Sequence, residues 1–356
     1  MVKNRIVCLN KGGFFLQVDE FDYELPEELI AQKPVKKRDE SQLMCLDKVS
    51  GDINEIVFKE IIKYLDTDDV LVLNNSRVIP ARLFGKKVPT GTSIEVLLLN
   101  EIEKGSWEVL VKPGKRVKKG VEISFGEGEL TGKAVDYTDF GGRIMEFNYK
   151  GEFKKIIDKL GDMPLPPYIK EELDDPERYQ TVYSRKRGSA AAPTAGLHFT
   201  KELLEKIKNK GISIEYITLH VGLGTFRPVR VDKIEDHKMH SEYFEIERKT
   251  AEKINKCKNG SGRVIAVGTT VTRTLEGAAR ENGQVEPGKG WTDIFIYPGY
   301  QFRIIDALIT NFHLPRSTLL MLVSAFAGKE KVFSAYRKAV REKYRFYSLG
   351  DAMFIY

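Results

Sequence analysis

Between residues 56 and 65 the apolar positions recur with helical spacing. Phe58, Ile61, Ile62 and Leu65 share one face, which predicts a short helix. The run Asp69-Val-Leu-Val-Leu-Asn74 follows, the pattern of a short buried strand, with Asn74-Asn-Ser-Arg77 as its polar exit turn. After Ile79-Pro-Ala-Arg82 the texture changes. Residues 93–99, 107–111, 121–125, 130–135 and 143–147 are short β-rich runs separated by glycine-rich turns, and no helical period intervenes. Evenly spaced short strands predict a small closed barrel or sandwich.

The period changes again at Phe153. Pro164-Leu-Pro-Pro167 is a stiff connector, and Thr200 is a suitable N-cap for a helix running to Lys210. Residues 212–219, 263–267 and 304–310 read as strands. Residues 270–280, 317–327 and 330–343 read as helices, the last amphipathic. Alternating strands and helices predict an α/β core, and the β-only block inside it predicts an insertion. The expected division is a discontinuous α/β core domain from residues 1–82 and 153–356, with an all-β, barrel-like domain at 83–152.

Composition adjusts this picture only slightly. The chain has 356 residues and is 42% hydrophobic, enough for two domains or for a core with a large insertion. No run of eighteen apolar residues occurs, so no membrane span is expected. The first residues lack a secretory pattern, and Cys8, Cys45 and Cys257 lie far apart with no CxxC pair. Both features predict a cytoplasmic protein with reduced thiols. A formal charge of +6 permits a nucleic-acid partner without requiring one.

Candidate chemistry gathers after predicted strands, where ligands of open α/β sheets bind. His220-Val-Gly-Leu-Gly-Thr-Phe226 carries glycines that let backbone N–H groups approach a ligand. Gly268-Thr-Thr-Val-Thr-Arg273 opens a helix, and its N–H groups suit a carboxylate or phosphate; ordinary threonine capping explains it equally well. Thr310-Asn-Phe-His-Leu-Pro-Arg-Ser317 lies between a strand and a helix that Ser317 caps. All five histidines fall in the second half of the chain. The spacing in His237-Lys-Met-His240-Ser-Glu242 matches no zinc signature, so no metal site is expected. Lys112-Pro-Gly-Lys-Arg-Val-Lys-Lys119 is a basic turn, either simply solvated or in contact with phosphates. Near the C-terminus, Arg341-Glu-Lys-Tyr-Arg-Phe-Tyr347 interleaves aromatic and basic residues, suited to stacking a splayed-out base, although Phe346 reads rather as core.

Longer segments resemble one family. They are Glu24-Leu-Pro-Glu-Glu-Leu-Ile-Ala-Gln-Lys-Pro34, Leu73-Asn-Asn-Ser-Arg-Val-Ile-Pro-Ala-Arg82, Met163-Pro-Leu-Pro-Pro-Tyr-Ile169 and Ala191-Ala-Pro-Thr-Ala-Gly-Leu-His-Phe-Thr200. Leu219-His-Val-Gly-Leu-Gly-Thr-Phe-Arg-Pro-Val229, Met239-His-Ser-Glu242 and Val267-Gly-Thr-Thr-Val-Thr-Arg-Thr-Leu-Glu276 match as well. So do residues 310–328 and Tyr344-Arg-Phe-Tyr-Ser-Leu-Gly-Asp-Ala-Met353. From about Phe21 onward the chain is similar to the S-adenosylmethionine:tRNA ribosyltransferase-isomerases of queuosine biosynthesis.

The resemblance implies an α/β core with an inserted β-barrel, in agreement with the periodicity. It implies S-adenosylmethionine as co-substrate, with no metal and no redox cofactor. The implied partner is a tRNA with a GUN anticodon carrying 7-aminomethyl-7-deazaguanine, and the implied products are epoxyqueuosine-tRNA, adenine and methionine. No membrane and no obligate protein partner are implied. That chemistry moves protons, so His220, His313 and His198 are the candidate catalytic residues. Gly222, Gly224, Thr225, Gly268, Thr269 and Thr270 are candidates for holding the donor. Asn75, Arg77, Arg82, Lys115, Arg116, Lys118, Lys119, Arg273, Arg345 and Tyr347 are candidates for tRNA. Two other classes remain open from the residues alone, an S-adenosylmethionine-dependent methyltransferase and a non-catalytic RNA-binding module. The glycine-rich loop usual in the former is not evident, and the latter leaves the loop histidines unexplained.

Overall fold

A computed structural model describes residues 16–139, 141–171, 173–222, 229 and 231–356. The chain starts the core with strands β1 (Gln42–Leu46), β2 (Ile53–Val57), β3 (Val70–Asn74) and β4 (Ser76–Val78). The insertion contributes β5 (Arg82–Val88), β6 (Ser93–Glu103), β7 (Ser106–Lys112), β8 (Glu122–Phe125), β9 (Leu130–Tyr137) and β10 (Arg143–Tyr149). Helix α1 (Phe153–Leu160) and the short strands β11 (Gly161–Asp162) and β12 (Lys186–Ser189) lead back to the core. There follow α2 (Lys201–Asn209), β13 (Ser213–Leu219), β14 (Glu242–Ile246), α3 (Arg248–Lys258), β15 (Val264–Val267) and α4 (Thr269–Gly277). The chain ends with β16 (Gly288–Thr292), β17 (Ala307–Asn311), α5 (Thr318–Ala327), α6 (Lys329–Arg341) and β18 (Ala352–Ile355).

Nine strands form one mixed sheet in the order β16-β14-β13-β3-β15-β17-β18-β1-β2. Its centre, β13-β3-β15-β17, is parallel. β3 and β15 are apolar throughout but for Asn74 at the end of β3, because both faces are covered. Val70 and Val72 point into a core shared with α3, α4, α5 and α6, whereas Leu71 and Leu73 point into a second core with α2 and Phe58. Val264 and Ala266 against Ile265 and Val267 repeat the same two-residue alternation on β15.

Strands β5 to β10 close into a six-stranded antiparallel barrel, sealed by pairing of β5 with β8. Leu83, Val96, Leu98, Val109, Ile123, Phe125, Ala134 and Met145 fill it, and Phe153 of α1 packs on Trp107 with ring centroids 5.5 Å apart. The sole helix among the described residues of the insertion is a 3₁₀ turn at Gly114–Arg116. No helix of the described residues is long and apolar enough to cross a membrane.

Three local expectations differ from the structure, the first being the strand read from residue 304, which begins only at Ala307. The amphipathic segment at 56–65 is the end of β2 followed by a 3₁₀ helix at Phe58–Tyr64. Phe58 and Ile61 are three apart, a spacing that serves a 3₁₀ turn as well as an α-helix. The polar turn after β3 is itself a strand, because Ser76–Val78 pairs in parallel with β12. By contrast, the Thr200 and Ser317 caps form as read: their hydroxyls accept from the N–H groups of Leu203 and Leu320.

Candidate functional site

At the carboxyl ends of β15 and β17, where the chain turns into α4 and toward α5, lies a cavity, the place where open parallel sheets bind ligands. Its volume is about 650 Å³, counting the solvent-filled mouth. Gly268, Thr269 and Thr270 line it from the start of α4. Thr310, Asn311, Phe312 and His313 line it from the end of β17. Pro193, Thr194 and Ala195 form a further side, and Tyr168, Tyr347 and Ser348 close another. Gly268 sits at φ 95°, a left-handed conformation that favours glycine and turns the chain from β15 into α4. The Thr270 hydroxyl is buried with no hydrogen-bond partner among the described residues, at a helix N-terminus whose N–H groups favour an anion.

The three candidate histidines stand in different relations to this cavity. His313 is in its wall, with Nε2 2.8 Å from Thr310 Oγ1. His198 is behind the wall: Nε2 meets Asn311 Nδ2 at 3.1 Å, Nδ1 meets Ser41 Oγ at 2.7 Å, and the ring stacks on Phe58. His220 lies one residue before Val221, which does line the cavity. Its ring stacks on Tyr243, and a Cβ on Gly188 would come within 2.8 Å of its Nε2. Burial lowers all three pKa values, to about 3 for His313 and His198 and to about 4 for His220. All three are therefore neutral at pH 7 in the free protein.

Gly222 donates its N–H to Glu242 Oε1 at 3.0 Å, and the other oxygen of that buried carboxylate pairs with Arg273 of α4. Thus Glu242, at the end of a segment with a superficially metal-like pattern, serves an ion pair. Among the described residues no group of three His, Cys, Asp or Glu side chains is placed to hold a metal. Gly224 and Thr225 lie outside the described residues.

The tRNA candidates do not form one surface. Asn75 is buried between β3 and β13, where its amide contacts Thr218 Oγ1 at 2.8 Å. Arg77 pairs with Glu177 and donates to Ser184 Oγ at 3.0 Å. Arg82 lies 3.1 Å from Glu95. Arg273 is buried, and Arg345 is half-buried on the Lys33 carbonyl. Lys115, Arg116, Lys118 and Lys119 are exposed on the turn between β7 and β8 of the barrel. Tyr347 is in the cavity wall at φ 70°, a strained backbone for a non-glycine residue.

A profile of the family described as "Queuosine biosynthesis protein" matches residues 18–355. A protein of Halothermothrix orenii named S-adenosylmethionine:tRNA ribosyltransferase-isomerase is 65% identical over 96% of this chain and all of its own length. The chain belongs to the S-adenosylmethionine:tRNA ribosyltransferase-isomerase family. A protein of the same name from Desulforamulus reducens is 58% identical over the same shares. A crystal structure of S-adenosylmethionine tRNA ribosyltransferase from Thermotoga maritima aligns with a TM-score of 0.54 at 42% identity, covering 95% of this chain and all of that one.

For a ribosyltransferase-isomerase, the geometry explains why several of the motifs are so far apart in sequence. Residues 191–200, 267–276 and 310–328 each send side chains into the same cavity. Thr194, Thr310, Asn311, Tyr168 and Ser348 also line it, and the sequence reading did not single them out. All five lie inside the segments that carry the resemblance, and the first three stand beside residues chosen there for their side-chain chemistry. Tyr168 and Ser348 join the cavity wall by a 2.6 Å hydrogen bond between hydroxyls 180 positions apart.

Proposed function

We propose that the chain transfers and isomerises the ribosyl group of S-adenosylmethionine onto 7-aminomethyl-7-deazaguanine at the wobble position of a GUN-anticodon tRNA. The products are epoxyqueuosine-tRNA, adenine and methionine. The observation that carries this reading is the cavity itself, in which three family motifs meet at the carboxyl edge of the sheet. Identity of 65% over nearly the whole chain supports the same substrate pair. The reaction needs no membrane, no obligate protein partner and no metal or redox cofactor, because the donor's sulfonium supplies the electrophilic driving force. Its place is the cytoplasm. Residues 83–152 form the inserted domain on this reading, and the core of residues 1–82 and 153–356 holds the donor.

Each part of the cavity suits a part of the chemistry. The start of α4, with Thr269 and Thr270, suits the donor's carboxylate or a ribose oxygen. The ribose C5′ hydrogens beside the sulfonium are acidic, and a neutral imidazole can accept one of them. His313 is the histidine in the wall and is neutral at pH 7. A group with a pKa near 3 carries almost no proton at that pH, so His313 in its free-protein state acts as acceptor rather than as the acid for departing adenine.

Product analysis tests the proposal. Purified protein, modified tRNA and S-adenosylmethionine should release adenine and methionine in equal amounts, without S-adenosylhomocysteine, and a chelator should leave the rate unchanged. S-adenosylhomocysteine would indicate a methyltransferase. No small-molecule product at all, with tRNA still bound, would indicate a binding protein.

A further inference from the structure

Three aromatic rings stand in a row across β13, β14 and β16. His220, just beyond β13, donates its N–H to the Tyr243 carbonyl at 3.0 Å, and Tyr243 is the register partner of Trp291. The imidazole stacks on the Tyr243 ring at 5.8 Å and 19°, and the Tyr243 ring meets the indole edge-on at 5.7 Å and 73°. Directly paired positions on one sheet face make such a ladder. One end, His220, is half-buried beside Val221 of the cavity wall; the other is open. Trp291 is 54% exposed on the outermost strand of the nine-stranded sheet, whereas Trp107, the other tryptophan, is 6% exposed inside the barrel.

The charges around the row are mainly basic. Lys289 and Lys186 share the single carboxylate of Glu245 at 3.4 and 3.9 Å. Arg185 lies over the Tyr216 ring at 5.3 Å, and Arg187 pairs with Asp158. An exposed indole backed by a second ring and flanked by lysines fits an unpaired nucleobase, whose flat face stacks while its phosphate meets the cations.

We propose that Trp291, supported by Tyr243, is a stacking platform for an unpaired anticodon-loop base adjoining the one whose modified base enters the cavity. The proposal rests on the reading of tRNA as substrate. It adds a second point of contact, two ring-steps from the cavity wall, that would hold the loop open.

Fluorescence and kinetics test it. An anticodon stem-loop should quench the emission of the wild type and of W107F, and quenching should be lost in W291F. Replacing Trp291 by Ala, or by Leu, which keeps an apolar contact on Tyr243 but has no π face, should raise the tRNA KM by about 10-fold. The donor KM should stay put, and Trp291→Phe should restore most of the loss. A stem-loop made abasic beside the wobble position should bind the wild type and W291A equally. An unchanged tRNA KM in both W291A and W291L, or quenching that survives in W291F, would overturn the platform. Absence of adenine release by the wild type, with quenching intact, would instead count against the proposed reaction and leave the platform standing.

Discussion

Asn311 Nδ2 lies 3.1 Å from His198 Nε2, and through this contact a wholly buried imidazole reaches the cavity. Thr194 Oγ1 donates to Asn311 Oδ1 at 2.9 Å, which fixes the amide with its NH₂ toward the ring. Nε2 therefore accepts, and Nδ1–H donates to Ser41 Oγ at 2.7 Å. Both nitrogens are engaged, so the role we propose for His198 is to position Asn311 rather than to carry a proton in turnover. His198→Ala should lower the melting temperature and turnover together, while His198→Gln should recover part of both. A His198→Ala protein with wild-type stability and a turnover loss beyond 10²-fold would contradict this role.

The same burial makes the fold sensitive to acid. His198 and His313 are held to about 3 and His220 to about 4, against about 6.5 in the unfolded chain. Below pH 6.5 the unfolded chain takes up protons that the folded protein refuses. The stability these groups allow is thus complete above pH 6.5 and falls as pH drops toward 4. At pH 5 each should cost roughly 2 kcal/mol. Melting temperature should decline steeply from pH 7 to pH 5, and less steeply in His198→Gln. A flat profile would show that these rings are not kept neutral.

The basic turn of the barrel should touch tRNA phosphates. Lys115, Arg116, Lys118 and Lys119 are exposed, and among the described residues the ion pair of this group is that of Lys119 with Asp136 at 3.7 Å. Replacing all four by Ala should weaken tRNA binding and flatten its salt dependence by about one unit of log–log slope per lost contact. Donor binding should not change. A salt slope equal to that of the wild type would make the turn merely solvated.

These expectations show which features a sequence exposes. The Thr200 and Ser317 caps were legible because a cap is a bond between neighbours. The barrel was legible because alternation survives in each strand, although β5 went unread beside its Lys86-Lys87 pair. The strand expected from residue 304 begins at Ala307 instead, since the N–H groups of Arg303, Ile304 and Ile305 are taken by the buried Glu276 carboxylate. The latter contacts span 27–29 positions and leave no periodic trace. The site divides the same way. Loop histidines could be picked out by residue type, but which one faces the cavity depends on Asn311, Val221 and Gly188, chosen by the fold.

Glu242 and Arg273 should act as a unit. Both are buried, and removing one leaves the other's charge without its partner, at a cost of about 3–5 kcal/mol. Glu242→Gln and Arg273→Met should each destabilise strongly, and the double variant should be less destabilised than the sum of the two. Because Gly222 N–H donates to the same carboxylate, Glu242→Gln should also raise the donor KM. Additive losses in a double-mutant cycle would show that the pair is not coupled.

His313 carries the most direct test of the site. Its ring is in the cavity wall, Thr310 Oγ1 engages Nε2 at 2.8 Å, and its backbone N–H donates to the Tyr336 hydroxyl at 2.9 Å. The backbone bond holds the loop whatever the side chain is. A side-chain replacement should therefore leave folding and tRNA affinity nearly intact. If the neutral imidazole takes the C5′ proton, His313→Ala should lower turnover by about 10²–10⁴-fold. His313→Gln keeps hydrogen bonding without a basic nitrogen, so it should stay as slow. Thr310→Val removes the hydroxyl partner and should have an intermediate effect, since the ring remains but is less firmly aimed. Exchange of the donor's C5′ hydrogens with deuterated solvent, followed before adenine is lost, separates the proton step from binding: it should vanish in both histidine variants and persist in Thr310→Val. Near-normal turnover in His313→Gln would make the ring a hydrogen-bonding group and move the base elsewhere in the cavity, with family membership untouched.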